Sequence, residues 1–340
     1  MYPGIRMNET SRKPPSTSRS AAIGFGLLTI LMIPVTLIGY SIWIVKGILM
    51  RNKSGVSSTA QAPLSARYAQ HMMSIRQDEA AAQLMPLMPG VPPLALRLTT
   101  GPTLLAHRLT GYVPKAFRYP FEGEVGEAVE ASARQTFLDT VVDRYLPELP
   151  QFVMLGAGFD TRAYRLSPDT KVHSFEVDAP KTQAVKRDML EKAGIDSSRV
   201  TFVSADFEKE DWLTRLVESG FDPAKPALFL WEGVIMYLDR AAVEDTFRKI
   251  AGTAQGSVVA FDYFTTEALT SNKLYWRFGR YATKAAGEPL KFGIDSTPPS
   301  RERLAEFLQA CGLTLDQHQT LGKDTETDRA WGGFATAIVK

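Results

Sequence analysis

The sequence predicts an α/β fold, a Rossmann-like and mostly parallel sheet with helices on both faces, preceded by a transmembrane helix. Three observations lead to this prediction. After position 126, short β-type runs alternate with helical stretches of about 10–15 residues. The first run ends in a glycine turn, "LGAG" at 155–158. Residues 21–45 contain no charged side chain, and about 20 apolar residues suffice for a helix to cross a bilayer.

Composition excludes several classes of protein. The 340-residue chain has a formal net charge of +2, which gives no electrostatic reason to expect a nucleic-acid partner. The single cysteine, Cys311, excludes an internal disulfide framework and a cysteine-built zinc site. The four histidines are scattered, without an HExxH motif or a short cluster with carboxylates. We therefore expect no metal site.

The N-terminal region is expected to contain a membrane anchor. Residues 1–20 are polar and predict a disordered tail, 21–46 predict a transmembrane helix kinked at Pro34, and 47–62 predict a flexible linker. A secretory signal has a shorter apolar core of about 7–15 residues, and a buried core helix is seldom apolar on every face. Basic residues are nearly balanced across the segment, so they do not fix its orientation.

Residues 63–125 predict a helical or irregular cap. Within it, 84–114 is apolar and repeatedly interrupted by proline. This stretch is too broken for a second membrane span. Three interpretations stay open: it lines an apolar substrate pocket, lies on a membrane surface, or packs in the core.

Residues 126–340 predict the catalytic domain. A helix is expected in 127–146, which has apolar residues at helical spacing and no glycine or proline. The expected strands are 152–155, 172–177, 200–203, 227–230, 257–264 and a C-terminal pair at 313–321 and 334–340. Helices are expected between them at 181–193, 210–219 and 240–254.

Four successive strand ends carry glycine and then acidic residues. Gly156 and Gly158 follow the first strand, where glycine lets the backbone turn sharply and approach a ligand. Asp178 lies about 20 residues further on, the spacing at which a carboxylate hydrogen-bonds a ribose hydroxyl. Asp206 and Glu232 end the third and fourth strands. All five belong to the carboxyl edge of the sheet, where open α/β sheets bind ligands.

Missing features narrow the choice of nucleotide. A dinucleotide site needs a third glycine, but Thr161 occupies that position. Asp160 stands at the expected helix entry, where a fixed carboxylate would repel a diphosphate. The pattern fits an adenosyl ligand without phosphates and with a positive sulfonium, S-adenosylmethionine. A nicotinamide-dependent oxidoreductase and a non-catalytic, membrane-tethered binding protein stay open as alternatives.

The motifs resemble those of one enzyme family. They are "SARQTFLDTVVDRYL", "LGAGFDTRAYRL", "FEVDAPKTQAVKRDML", the stretch ending in "LWEGVIMYL" and the weaker "GGFATAIVK". The sequence is similar to the leucine carboxyl methyltransferase family of class I S-adenosylmethionine-dependent methyltransferases, and more closely to its bacterial and fungal members of unassigned substrate. The similarity is strong over residues 126–264 and loose beyond them.

The resemblance implies roles for the cofactor-binding residues. Arg134 would pair with the methionine carboxylate of the cofactor. Gly156 and Gly158 would form the turn beneath it. Asp178 would hold the ribose hydroxyls, with Glu176 as the local alternative.

It also implies residues at the adenine end of the cofactor and at the reacting end. Asp206 and Phe207 would read the adenine amino group. Glu232 would bind near the amino-acid end of the cofactor, close to the transferred methyl, and is a catalytic candidate. Tyr237 is a second catalytic candidate, on the acceptor side.

The family name implies methyl transfer to a carboxylate of a small molecule or peptide. Such an acceptor is ionised at neutral pH and needs no general base, whereas a hydroxyl would need one. Aromatic and apolar side chains in the N-terminal cap and in the insertion near 265–295, which should cover the acceptor, lead us to expect an apolar acceptor drawn from the membrane. Because the cofactor is intracellular, we expect a single-pass protein with its catalytic domain in the cytosol.

Overall fold

The computed structural model describes residues 18–54 and 60–340, without the side chains of 47–54. A seven-stranded sheet runs through the catalytic domain in the order β3-β2-β1-β4-β5-β7-β6. The strands are β1 Gln151–Leu155, β2 His173–Asp178, β3 Val200–Ser204, β4 Ala227–Trp231, β5 Val258–Phe264, β6 Thr314–Leu321 and β7 Gly332–Ile338. β1 to β5 pair in parallel, and β7 pairs antiparallel with both β5 and β6.

Helices precede the sheet and cover both of its faces. The helices of the N-terminal region and cap are α1 Arg19–Leu31, α2 Ile33–Ser54, α3 Gln61–Met72, α4 Glu79–Leu84 and α5 Pro93–Thr110. Those of the catalytic domain are α6 Glu130–Tyr145, α7 Pro180–Ala193, α8 Trp212–Glu218, α9 Arg240–Ala251, α10 Thr266–Thr270, α11 Leu274–Ala285 and α12 Ser300–Ala310.

The core lies on both faces of the central strands. Along β1, Val153 and Leu155 join the apolar cluster around Trp212 and Phe247, whereas Phe152 and Met154 join the cluster under α6. Successive side chains of a strand point to opposite faces, so a strand buried on both sides is a continuous apolar run. This explains why the strands were predictable, and the predicted mostly parallel sheet with helices on both faces is confirmed.

The connection after β1 differs from the prediction. The structure has a single turn of 3₁₀-helix, Arg162–Arg165, where the sequence led us to expect an α-helix. Asp160 therefore does not stand at an α-helix N-terminus. An α-helix N-terminus would offer free backbone N–H groups and the helix dipole to a pyrophosphate, and this turn offers neither.

The predicted membrane helix is two helices rather than one. α1 and the part of α2 up to Lys46 meet at a 56° bend. Pro34 occupies the first turn of α2, where its missing N–H is harmless, whereas in the interior of one continuous helix its ring would clash with the preceding turn and favour a kink or a break. Among the described residues no single helix is long and apolar enough to cross a membrane, whereas this bent pair meets the length and composition criteria together.

The predicted boundaries around this segment also shift. α1 begins at Arg19, inside the predicted tail, and α2 continues to Ser54, inside the predicted linker. The last two residues of the predicted linker, Gln61 and Ala62, already belong to α3. The remainder of the predicted tail, 1–17, and the linker residues 55–59 lie outside the described residues.

The first part of the proline-interrupted stretch 84–114 packs in the core, whereas Leu94, Leu105 and Leu109 of α5 are exposed. Leu84, Met85, Met88 and Leu96 are buried in one cluster with Phe159. The stretch supplies none of the described residues that line the main cavity, which removes the pocket-lining interpretation. α5 is continuous despite Pro102 and packs along α1 and α2.

The contact between α2 and α5 is close at Gly39. A Cβ at Gly39 would lie 2.8 Å from Leu98 Cβ and 2.9 Å from Thr99 Cγ2. At Gly26 in α1, a Cβ would meet nothing within 4 Å. The two glycines therefore differ in packing, although both are in apolar helices.

We expect Gly39→Ala to destabilise the α2–α5 contact by about 1–3 kcal/mol, because overpacking forces the helices apart. The matched Gly26→Ala should be neutral or stabilising by up to about 1 kcal/mol through helix propensity. Hydrogen exchange of α2 amides in the full chain measures the difference. Equal exchange in the two variants would contradict the packing.

Candidate active site

A cavity of about 850 Å³ opens at the carboxyl edge of the parallel strands. The cavity lies at the neighbouring strands β1 and β4. From β1 the sheet continues to one side through β2 and β3, and from β4 it continues to the other side through β5. Ligands of open α/β folds bind at such a switch point. The start of α3 and the residue Arg134 of α6 also contribute to the cavity wall.

The glycine turn forms the floor of the cavity. Gly156 has φ +65°, and a Cβ there would lie 2.4 Å from Val234 Cγ2. Gly158 has φ +47°. The Gly156 and Ala157 N–H groups both donate to the Val177 carbonyl, at 2.8 and 3.1 Å, which fixes the turn against β2. Both predicted glycines line the cavity, and a side chain at Gly156 would collide with its opposite wall.

Asp178 is held at the cavity wall by two backbone donors. Its Oδ2 accepts from Gly158 N at 2.5 Å and its Oδ1 from Ala179 N at 2.6 Å. Burial raises the pKa of Asp178 above its usual value, although these two hydrogen bonds oppose the shift. The alternative, Glu176, is buried with Lys186 and Tyr164 and does not line the cavity. Of the two acids in "FEVD", only Asp178 faces the site.

Asp206 and Phe207 line the wall beyond β3. The Asp206 carboxylate accepts from Glu208 N at 3.1 Å and pairs with Lys209 at 2.7 Å. The hydrogen bond from Lys209 lowers the pKa of Asp206. Phe207 packs on Trp212 and Trp231 at the edge of the core. The pair therefore offers a charged acceptor beside an aromatic face.

Glu232 is the centre of a buried ion network. Its Oε2 contacts Arg162 at 2.6 Å and Arg67 at 3.1 Å, and its Oε1 contacts Arg134 at 3.2 Å. Burial alone would raise the pKa of Glu232, but the attraction of Arg162, Arg67 and Arg134 outweighs it and lowers the pKa. Glu232 is therefore held ionised, and a carboxylate stabilised in this way is a weak proton acceptor.

Arg134 reaches the cavity from α6 and bonds three carboxylates. Besides Glu232, it contacts Glu130 at 2.9 Å and Asp262 at 3.2 Å. Asp262 is buried and also accepts from Gly233 N at 2.6 Å. The Arg134 guanidinium is thus fixed in orientation before any ligand binds.

Tyr237 lines the same cavity, next to Met236. None of the described histidines lines the cavity. His318 is half-buried against Tyr263, and this partial burial lowers the pKa of His318 to about 4. In the described parts of the chain, no three His, Cys, Asp or Glu side chains are placed to hold a metal ion.

The structure adds Arg67 to the site. It lies on α3 with 1% of its side chain exposed, and it contacts Asp160 at 2.9 Å as well as Glu232. Nothing in the sequence pointed to it, because an arginine on an amphipathic cap helix is usually a solvated surface charge. Its partners lie 93 and 165 positions away in the chain.

Asp160 has a different role from the one predicted. Its carboxylate pairs with Arg67 and Arg162, and the Asp160 carbonyl accepts from Lys186 Nζ at 2.8 Å. Burial opposes ionisation, but the two arginines lower the pKa of Asp160 well below its usual range. Because Arg67 and Arg162 neutralise the Asp160 carboxylate, the prediction that Asp160 would repel a diphosphate is wrong. The 3₁₀ turn and Thr161 remain the features that disfavour a dinucleotide.

Comparison with known proteins agrees with this geometry. Residues 124–251 match the model of the leucine carboxyl methyltransferase family. A protein of Mycobacteroides abscessus is 37% identical over 193 residues, 56% of this chain and 57% of that protein. One of Mycolicibacterium paratuberculosis is 42% identical over 113 residues, 33% of this chain and 38% of that protein. Both carry the provisional name S-adenosyl-L-methionine-dependent methyltransferase.

These findings place the matched region among the S-adenosylmethionine-dependent methyltransferases. Within that class, the predicted resemblance to the leucine carboxyl methyltransferase family is confirmed for residues 124–251. The chain spans about half the length, or less, of the curated relatives it matches. Among solved structures, mitomycin 7-O-methyltransferase is 14% identical with a TM-score of 0.41, covering 63% of this chain and 56% of that one, too slight a likeness for a functional argument.

Arg67→Gln should lower the free energy of unfolding by about 3–5 kcal/mol, since it leaves Glu232 and Asp160 with less compensation in a buried site. Arg240→Gln is the matched control, because Arg240 is exposed and pairs only with Glu244 among the described ion pairs. It should cost less than about 1 kcal/mol. Urea unfolding of both variants measures the difference, and similar midpoints would show that the Arg67 pairs are not formed.

Proposed function

We propose that this protein is an S-adenosylmethionine-dependent O-methyltransferase that methylates a carboxylate of an apolar, membrane-derived acceptor. One observation carries the proposal: the glycine turn, Asp178, Asp206 and Glu232 line a single cavity at the switch point of the sheet. They do so within the region that matches the family. The relatives' names support methyl transfer, while the carboxylate, the acceptor and the membrane are our own inferences.

The cavity walls suit the two ends of the cofactor. Asp178 offers carboxylate oxygens for the ribose hydroxyls, and Asp206 offers an acceptor for the adenine amino group beside the Phe207 ring. The mixed network at the other end suits a zwitterion: Arg134 can meet the methionine carboxylate and Glu232 the ammonium. Because these groups are already fixed by one another, binding requires little reorganisation.

When bound, the cofactor would supply a methyl group on a sulfonium: an acceptor oxygen would bond to the methyl carbon in line as the carbon–sulfur bond breaks, and S-adenosylhomocysteine would leave as the neutral thioether. The protein must then hold and align the acceptor and exclude water, effects worth roughly 7–11 kcal/mol in intramolecular reactions. Tyr237 and Met236 stand on the wall where the acceptor would lie. The lowered pKa of Glu232 and the lack of a histidine among the described lining residues favour an acceptor that needs no base.

We further propose that the bent pair α1 and α2 anchors the protein in a membrane, with the catalytic domain on the cytosolic side. The support is the apolar composition of the pair and its outward side chains, including Leu27, Leu31 and Leu37, which are exposed. The intracellular supply of the cofactor gives the orientation.

We expect Asp178→Asn to weaken binding of S-adenosylhomocysteine roughly 10- to 100-fold, since hydrogen bonds to a charged acceptor contribute about 1.5–3 kcal/mol. Asp188→Asn, an exposed acid on α7 paired with Lys192, should leave the affinity unchanged. Calorimetry on the full chain measures both. Binding of NAD with no uptake of S-adenosylhomocysteine would favour the oxidoreductase instead.

The same affinity should fall on acidification. Burial raises the pKa of Asp178, so the carboxylate takes up its proton above the ordinary aspartate value of about 3.9 and loses one acceptor oxygen there. The affinity should therefore be full at neutral pH and decline as the pH falls through that raised pKa. The Asp178→Asn variant should not show this decline, and an identical pH profile in both proteins would assign the titration to another group.

For the reaction, we expect radiolabelled methyl transfer from S-adenosylmethionine into an amphiphilic carboxylate such as a fatty acid. The methyl should be released as methanol by mild base, because esters hydrolyse where ethers do not. Tyr237→Phe should reduce kcat less than about tenfold, since general-base loss costs about 10²–10⁴. A base-stable product would identify a hydroxyl acceptor, and cofactor binding without turnover on any acceptor would support the binding-protein alternative.

A further inference from the structure

Helix α11 turns its apolar side away from the protein. Trp276 is buried with 4% exposure, whereas Leu274, Phe278 and Tyr281 are 80%, 70% and 73% exposed. The three exposed residues are spaced four and three positions apart, so they lie on one face of the helix. A helix of a water-soluble domain normally directs that stripe at the core.

The rotation of α11 is fixed by specific contacts. The Trp276 ring packs edge-on against Phe264 at 5.1 Å and tilts against Trp331 at 5.7 Å. Arg280 donates to the Ala268 and Ser271 carbonyls at 3.3 and 2.7 Å, which ties α11 to α10. The outward apolar stripe is therefore built into the fold.

The charged residues of the segment that carries this stripe are all basic. Residues 271–287 contain four basic side chains and no acidic one. Three of the basic residues, Lys273, Arg277 and Lys284, are exposed. Two copies of the chain joined through this face would bring like charges together, which is unfavourable. An anionic bilayer offers both apolar depth for the stripe and negative headgroups for the cations, at about 1 kcal/mol for each basic residue near the surface.

The position of α11 relates this face to the cavity. Phe264, which contacts Trp276, lines the cavity, and so does Glu288, three positions after the end of α11. Ala60 and Pro63 line it from the cap side, and Ala60 follows the end of α2 by six positions. One wall of the cavity is therefore formed by residues that follow α2 closely in the sequence, and another by residues that adjoin α11.

We propose that α11 docks in the surface of an anionic membrane through Leu274, Phe278 and Tyr281, with Lys273, Arg277 and Lys284 on the lipid headgroups. Docking places the cavity beside the headgroup layer, where an amphiphilic acceptor can enter without crossing water. The docking does not require methyl transfer, but the route of the acceptor rests on the proposed function.

The test places an environment-sensitive fluorophore at Tyr281→Cys in the full chain, reconstituted in phosphatidylcholine vesicles with or without phosphatidylserine. The one native cysteine, Cys311, is buried, so labelling is directed to the new position. We expect a blue shift and quenching by lipid-borne quenchers that strengthen with phosphatidylserine. The same label at Val217→Cys, on α8, should show neither.

A charge-matched pair of variants tests the cations. Arg277→Ser with Lys284→Ser should lower the docked population at least about tenfold, given about 1 kcal/mol for each charge. Lys192→Ser with Lys225→Ser removes the same charge at the opposite edge of the sheet and should have no effect. Arg280 is left intact because it holds the helix in place.

Three results would overturn the proposal. The label at Tyr281→Cys could remain fully accessible to aqueous quenchers in anionic vesicles. It could be shielded without vesicles in a concentration-dependent way, which indicates a second copy. The label could give the same response in both lipid mixtures and in both charge variants, which would indicate that the membrane contact does not depend on the basic side chains. Calorimetry with S-adenosylhomocysteine on the same samples reports the proposed function separately.

Discussion

The buried carboxylate of Glu232 is the interaction on which the site depends. It ends β4 and meets a guanidinium from each of three other parts of the chain: Arg67 of α3, Arg134 of α6 and Arg162 of the turn after β1. A buried charge is tolerated only when it is paired, and removing one partner is costly. The cap, the first helix of the domain and the glycine turn must therefore all be in place together. The cofactor end of the cavity is consequently assembled by folding rather than by the ligand.

A second constraint is steric, and it acts on the same wall. The turn at Gly156 passes so close to Val234 that only glycine fits, and Val234 follows Glu232 by two positions. The backbone that approaches the ligand and the carboxylate that organises the arginines are thus fixed relative to each other. Asp178 is tied to the same turn through Gly158 N. Charge and steric fit together define a cavity with two chemically different ends, one with the Asp178 and Asp206 carboxylates and one with a network of paired arginines and carboxylates.

The sheet and much of the site were predictable because their signals are local. A strand buried on both faces is an apolar run, and parallel strands deliver their last residues to one edge, so Asp178, Asp206 and Glu232 could be expected to share a cavity. Arg67 could not be expected, because its role depends on a cap whose packing no short pattern encodes. Asp160 was misjudged in part for the same reason: Arg162, two positions further on, was visible in the sequence, but the second neutralising partner, Arg67 on α3, is remote. The bend between α1 and α2 was foreshadowed by Pro34, but its 56° angle and the packing of both helices on α5 were not predictable from a local pattern.

The orientation of α11 follows from a conflict between local pattern and tertiary contact. Its sequence contains two ways to bury apolar surface: Trp276 on one side, and Leu274, Phe278 and Tyr281 on the other. Burying the larger stripe would expose Trp276 and release Arg280 from the two carbonyls that it holds. In the structure Trp276 is buried instead, and the larger stripe stays in contact with solvent, which costs free energy in water. That cost is removed if the stripe has an apolar neighbour, and the cations that flank it favour an anionic bilayer as that neighbour.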